Sequence, residues 1–137
     1  MATFEYRKLF RADVVLRVEY KIKGDPSSGG TAFSQNLSQT GINLILGERL
    51  PKDTELDIKI YLHEDKEPVI AKGSVVWQAQ CSFVPASERK YYSTGILISD
   101  MSSKDAIRQS DFVRNCLVEK SESRKKEIIE KLEGLKK

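Results

Sequence analysis

Two arginines, Arg7 and Arg11, lie four positions apart near the N-terminus, just before the first predicted strand. A guanidinium group presents a planar fork of N–H donors, which pairs bidentately with phosphate oxygens or with the O6 and N7 edge of guanine. Two such groups on one short segment suit a ligand that carries both a guanine and phosphates. Taken alone, two arginines near a chain end are more often solvated surface charge.

A second polar pattern occupies residues 36–41, NLSQTG, and has the form Asn-x-Ser-x-x-Gly. Asn36 and Ser38 offer short, directional hydrogen-bonding groups that suit base edges or backbone. Gly41 permits a backbone angle, or a close approach of a ligand, that a side chain would forbid. In isolation this pattern is an ordinary turn, but together the two patterns match a guanine nucleotide better than a sugar or a metal.

The elements that must position these residues are strands. Residues 12–23 alternate with a period of two, which predicts one long half-buried strand. Its inward face is predicted to carry Val14, Leu16, Val18, Tyr20 and Ile22, and its outward face Val15, Arg17, Glu19, Lys21 and Lys23. Further strands are predicted at residues 31–36, 41–46, 56–62, 69–78 and 91–99. Six short strands separated by turn residues predict an antiparallel barrel, because closure removes exposed edges.

After Asp100 the hydrophobic pattern becomes helical. Ser102 lies three residues before Asp105, a spacing that predicts a helix N-cap. Residues 119–127 are almost wholly polar, and a second apolar stripe follows at Ile128, Ile129, Leu132 and Leu135. The pattern predicts either one long helix or two helices hinged near residues 121–123. The stripe is suited equally to folding back onto the barrel and to pairing with a second copy as a homodimer.

Composition excludes several classes of function. The chain has 137 residues, which is about one domain, and a net charge of +3, too mild to indicate a nucleic-acid polymer as partner. No apolar run approaches the roughly 18 residues that a membrane span needs, and the N-terminus lacks the apolar centre of a secretory signal, so we expect a cytoplasmic protein.

The sequence lacks the residue patterns of common catalytic and metal-binding sites. His63 is the only histidine, and no partners at ligand spacing accompany it, so we expect no metal and no catalytic base there. Neither a nucleophile elbow nor a phosphate-binding glycine loop is present, and we expect no enzymatic activity. Trp77 suits either base stacking or packing on the barrel, and packing is the more common role on an alternating strand.

The two polar patterns, 25 residues apart from Arg11 to Asn36, resemble the signature of PilZ domains. Further segments are similar to that family: GSVVW at residues 73–77 resembles its Gly-x-Val-x-Trp strand, and YSTGI at residues 92–96 resembles its Tyr-x-x-Gly-Ile strand. The resemblance covers about residues 5–118. It departs from the commonest pattern at Asn36, where Asp is more frequent, and at Ile98, where an aromatic residue is often found.

The resemblance implies a mainly β fold, a six-stranded antiparallel barrel with a C-terminal helical segment. Residues 1–118 would form the PilZ domain, with 1–11 a mobile arginine arm, 12–99 the barrel and 102–118 the closing helix. Residues 119–137 would be a helical extension.

The resemblance also implies a bacterial, non-catalytic receptor for cyclic di-GMP that needs no cofactor. Arg7 and Arg11 would contact guanine edges and phosphates, Asn36 and Ser38 a guanine, and Gly41 would shape the turn. Lys8 and Tyr6 would add charge or a stacking surface, although Tyr6 leaves open whether one ligand or two bind. We expect the ligand to order the arm against the turn and so to create a surface for a protein partner. An adaptor of the same fold with weak or no nucleotide dependence is the alternative.

Overall fold

The computed structural model describes residues 11–81 and 90–118, together with positions 130 and 133. Tyr6, Arg7 and Lys8 of the predicted arm therefore lie outside the described residues. Nearly all of the predicted extension, residues 119–137, lies outside them too, so its helix count and its predicted role in a homodimer stay predictions.

Between residues 11 and 118, the described strands close into a six-stranded antiparallel barrel that a helix follows, which confirms the predicted fold class. The strands are β1 (Arg17–Ile22), β2 (Gly30–Leu37), β3 (Gly41–Leu46), β4 (Glu55–Ile60), β5 (Val69–Gln80) and β6 (Tyr92–Met101), and the helix is α1 (Ser103–Val118). Around the barrel the strand order is β1-β2-β3-β6-β5-β4, and β4 pairs with β1 to complete the circle. No helix within the described part of the chain has the length and apolar character that crossing a membrane requires.

Alternating side chains fill the barrel as the sequence pattern predicts. In β4, Leu56, Ile58 and Ile60 are buried while the residues between them are exposed. This alternation places every second residue in the core and the others on the outer surface. One end of the barrel is covered by α1, whose Val113 and Cys116 join the hydrophobic core.

The first predicted strand is shorter than the pattern indicated. Residues 12–16 contact β2 through an isolated bridge at Ala12 and a hydrogen bond from the Ser34 N–H to the Leu16 carbonyl (2.9 Å), and the continuous ladder begins at Arg17. The Ser34 hydroxyl replaces part of the ladder, since it accepts a hydrogen bond from the Leu16 N–H (2.8 Å) and donates one to the Val14 carbonyl (2.6 Å). Val15, which was predicted on the outward face, is buried but does not belong to the hydrophobic core; it lines a crevice together with residues of α1.

The start of α1 confirms the predicted cap and adds a contact with the barrel. The Ser102 hydroxyl accepts a hydrogen bond from the Asp105 N–H at 3.1 Å. The Asp105 carboxylate accepts hydrogen bonds from the Ile70 N–H of β5 and from Arg108, each at 3.1 Å. The helix start is thereby fixed to the barrel as well as capped.

Replacing Ser34 with alanine tests the side-chain link in the first strand. Ser34→Ala leaves the Leu16 N–H and the Val14 carbonyl buried without their partner, so we expect the free energy of unfolding to fall by about 2–4 kcal/mol in urea denaturation. Ser99→Ala is the matched control, because the Ser99 hydroxyl bonds the Lys72 carbonyl at an exposed position, and it should cost less than about 0.5 kcal/mol. Equal losses for the two variants would contradict this account.

Candidate functional site

The turn of residues 36–41, which joins β2 to β3, is organised by Ser38. The Ser38 N–H donates to the Gly41 carbonyl at 2.9 Å, and the Ser38 hydroxyl lies 3.3 Å from the same oxygen. The Thr40 N–H in turn donates to the Ser38 hydroxyl at 3.3 Å. Backbone and side chain of one residue thus close the turn, which therefore needs no ligand to take its shape.

Gly41 is required for packing rather than for a special backbone angle. Its φ lies outside the positive region, in contrast to Gly24 and Gly29. A Cβ built at Gly41 would stand 2.9 Å from the Ile96 carbonyl oxygen of β6, closer than such atoms normally approach. The Thr40 carbonyl also accepts a hydrogen bond from the Ile98 N–H at 2.9 Å. β6 therefore holds the turn from one side.

Helix α1 holds the turn from the other side through Gln109. This side chain is fully buried, and its Nε2 donates to the Ser38 carbonyl at 2.8 Å. Its Oε1 is also buried, and it has no hydrogen-bond partner among the described residues. A buried acceptor without a partner costs about 1–3 kcal/mol. Gln109 is not among the site residues predicted from the sequence, although its spacing from Val113 and Cys116, four and seven residues, places it on the apolar face of the helix.

Arg11 is brought beside the turn by the bridge between Ala12 and Leu37. The two residues exchange both backbone hydrogen bonds, at 2.8 and 2.9 Å. Continuing this antiparallel register by one residue places Arg11 opposite Ser38. Ala12 and Leu37 are buried, so their neighbours Arg11, Asn36 and Ser38 face outward, where Arg11 is exposed and the other two are partly exposed. Within the described residues, Arg11 has no ion pair and the Asn36 carboxamide has no hydrogen-bond partner.

A row of outward-facing residues extends from the turn across four strands. Asn36 of β2 pairs with Asn43 of β3, Asn43 pairs with Gly95 of β6, and Gly95 pairs with Trp77 of β5. The Trp77 indole lies over Gly95, where a Cβ would overlap the ring, and 47% of Trp77 is exposed. Trp77 is therefore a surface residue in line with Asn36. The pairing of Trp77 with Gly95 follows an irregularity in β5 after Val75, which the sequence pattern did not indicate.

Comparison with known proteins agrees with this geometry. The sequence matches the family described as PilZ domain over residues 5–105. This chain belongs to the PilZ domain family. The comparison with curated protein sequences found no match.

Solved structures show the same fold at low sequence identity. The inhibitor of motility MotI (DgrA) of Bacillus subtilis matches with a TM-score of 0.65 and 20% identity, over 82% of this chain and 51% of that one. The PilZ domain of YcgR from Escherichia coli, solved with c-di-GMP, matches with a TM-score of 0.61 and 11% identity, over 90% and 95%. PlzA of Borreliella burgdorferi, in complex with c-di-GMP, matches with a TM-score of 0.51 and 14% identity, over 85% and 50%. The chain thus spans about half the length of MotI and of PlzA.

A crevice of about 670 Å³ lies elsewhere in the described part of this PilZ domain, between residues 14–17, residues 61–66 and α1. Its cation Arg17 stacks 3.8 Å above the Tyr61 ring and pairs with Glu64 at 3.1 Å and Glu19 at 3.3 Å. The hydrogen bond from Tyr61, followed by the charge of Arg17, holds the pKa of Glu19 below its ordinary value. The charge of Arg17 is thus compensated, whereas Arg11 beside the turn makes no ion pair within the described residues.

The described residues do not form a metal site or a catalytic site around His63. His63 packs the edge of its ring against Phe112, with ring centroids 5.7 Å apart. Within the described ranges, no three His, Cys, Asp or Glu side chains come together as a possible metal site. The described part of the site therefore consists of Arg11, Asn36, Ser38 and Gly41, with Asn43 and Trp77 as additions that the structure supplies.

Substituting Gly41 tests the close contact between the turn and β6. Gly41→Ala forces a Cβ against the Ile96 carbonyl, so we expect the free energy of unfolding to fall by about 1–3 kcal/mol in urea denaturation. Gly47→Ala is the control, since a Cβ there meets nothing within 4 Å, and it should be neutral or slightly stabilising. If Gly41→Ala unfolded at the same urea concentration as the parent, the packing role of Gly41 would be wrong.

Proposed function

We propose that this PilZ domain is a non-catalytic receptor for cyclic di-GMP. The dinucleotide binds on the outer surface of the barrel, at Arg11, Asn36, Ser38 and Gly41. The observation that carries the proposal is the Ala12–Leu37 bridge, which places Arg11, a cation without an ion pair among the described residues, next to a polar turn closed by its own hydrogen bonds.

The groups on this surface fit the chemistry of the ligand. Cyclic di-GMP offers two phosphates and two guanines, and the Arg11 guanidinium pairs bidentately with either kind of group. The Asn36 carboxamide supplies a donor and an acceptor for a guanine edge, and neither is used within the described residues. The Ser38 hydroxyl is already oriented by the turn. The ligand therefore meets groups that need little reorganisation on binding.

Trp77 extends the same surface and supplies a face for a guanine. With strands about 4.8 Å apart, the row from Asn36 to Trp77 spans about 14 Å. Stacking of a base on an aromatic side chain contributes about 1–3 kcal/mol. This interaction requires the half-exposed position that Trp77 occupies above Gly95.

The N-terminal arm completes the site in this proposal. Arg7 lies four residues before Arg11 and adds a second guanidinium, with Tyr6 and Lys8 on either side of it. Ligand phosphates attract these cations and order the arm against the turn, an order-on-binding switch that creates a composite surface for a protein partner. Two relatives with this fold, the PilZ domain of YcgR and PlzA, were solved with the same dinucleotide, which supports the choice of ligand.

Calorimetric titration tests the site. We expect cyclic di-GMP to bind in preference to GTP and cyclic di-AMP. Arg11→Ala should weaken binding about 10- to 100-fold, because a charge-assisted contact contributes about 1.5–3 kcal/mol, and Arg11→Lys should restore only part of the loss. Arg114→Ala is the control for charge alone, since Arg114 lies exposed on α1.

Two results would contradict the proposal. Unchanged affinity in Arg11→Ala would remove Arg11 from the site. No binding by the parent chain at tens of micromolar ligand would favour the alternative, a PilZ-fold adaptor for protein partners without nucleotide dependence.

A further inference from the structure

The contact between Gln109 and the turn joins a fully buried side chain of α1 to the residue that closes the turn. Gln109 is fully buried, and Val113, one helical turn later, is buried as well. The Gln109 carboxamide reaches from α1 to the Ser38 carbonyl, which belongs to the same residue whose hydroxyl and N–H close the turn. One side chain of the helix therefore acts directly on the residue that organises the proposed site.

A second hydrogen bond joins the same two elements but differs in burial. Gln39 Nε2 donates to the Ser110 hydroxyl at 3.0 Å in an exposed position. When an exposed bond is lost, water hydrates both groups, whereas the Gln109–Ser38 bond is part-buried and its donor side chain is fully buried, so water replaces it less completely. Of these two bonds, the Gln109 contact is thus the one whose loss costs the turn more.

The buried Oε1 of Gln109 has no hydrogen-bond partner among the described residues, which also indicates that the contact with Ser38 is the main role of this side chain. An apolar side chain of similar length, such as methionine, would pack at this position without leaving an acceptor unsatisfied. The described contact that offsets this disadvantage is the hydrogen bond to Ser38. Gln109 is therefore suited to fixing the turn rather than to filling space.

We propose that Gln109 is a positioning residue that couples helix α1 to the ligand-binding turn. By holding the Ser38 carbonyl it fixes the direction in which Asn36 and the Ser38 hydroxyl face the ligand. Ligand binding and the Gln109 contact then favour the same turn conformation, so each strengthens the other by the same factor. This inference rests on the proposed function of the turn, and it makes α1 the element through which occupancy of the site is transmitted.

Affinity for cyclic di-GMP in three helix variants tests the coupling. Gln109→Met keeps the length of the side chain and removes the donor, and we expect it to weaken binding about fivefold or more. Val113→Ala destabilises the same helix without touching the turn, and Ser110→Ala removes the exposed bond, so both should bind within about twofold of the parent. Should the methionine variant not fold, Gln109→Asn carries the comparison, because its carboxamide is one methylene too short to keep the 2.8 Å contact.

Amide hydrogen exchange without ligand gives an independent readout. The Ser38 N–H, bonded to the Gly41 carbonyl, and the Ile98 N–H, bonded to the Thr40 carbonyl, report on the turn. We expect both to exchange faster in Gln109→Met than in Val113→Ala, compared at equal global stability. Unchanged exchange, or equal losses of affinity in the two variants, would overturn the inference. A parent chain that binds no cyclic di-GMP would refute the proposed function, while the exchange result would still decide whether Gln109 positions the turn.

Discussion

Two backbone hydrogen bonds between Ala12 and Leu37, of 2.8 and 2.9 Å, connect the start of the described chain to the end of β2. The position of Arg11 beside the polar turn depends on this pair. Ala12 and Leu37 are both buried, so that Arg11, Asn36 and Ser38 face the same outer surface. Without this bridge, the arginine pair and the polar turn would be separate patterns, each compatible with ordinary surface structure. The bridge converts residues 25 positions apart into neighbours.

The turn itself is held from two sides before any ligand arrives. β6 approaches Gly41 so closely that no side chain fits, and α1 reaches the Ser38 carbonyl through Gln109. A preformed turn reduces the entropy lost on binding, and in the proposed mechanism the arm bears most of the remaining loss. In the proposed mechanism, the turn of residues 36–41 supplies a fixed shape and the arginine arm of residues 1–11 supplies positive charge. The hydrogen bond between Gln109 and Ser38 would allow ligand binding at the turn to affect helix α1.

Much of this architecture is predictable from sequence, because alternation of side chains records which face of a strand is buried. The pattern predicted six strands, and it predicted β3 over the same residues that the structure shows. Contacts between elements that are distant in the sequence leave no comparable pattern in it. Val15 is buried by α1, and Trp77 reaches the row of Asn36 only through the irregular pairing of β5 with β6. The sequence does show Gln109 as a polar residue on an apolar helical face. Its hydrogen-bond partner could not be predicted, because it depends on how the helix packs on the barrel.

The central claim, that cyclic di-GMP binds on the outer surface at the turn, is tested most directly by mapping the ligand with nuclear magnetic resonance. Titration of the ¹⁵N-labelled chain should shift the signals of Arg11, Asn36, Ser38 and Asn43 and the indole N–H of Trp77. Signals from the crevice beneath α1, including Tyr61 and His63, should move little. Shifts concentrated in that crevice, with the turn and Trp77 unchanged, would contradict the account.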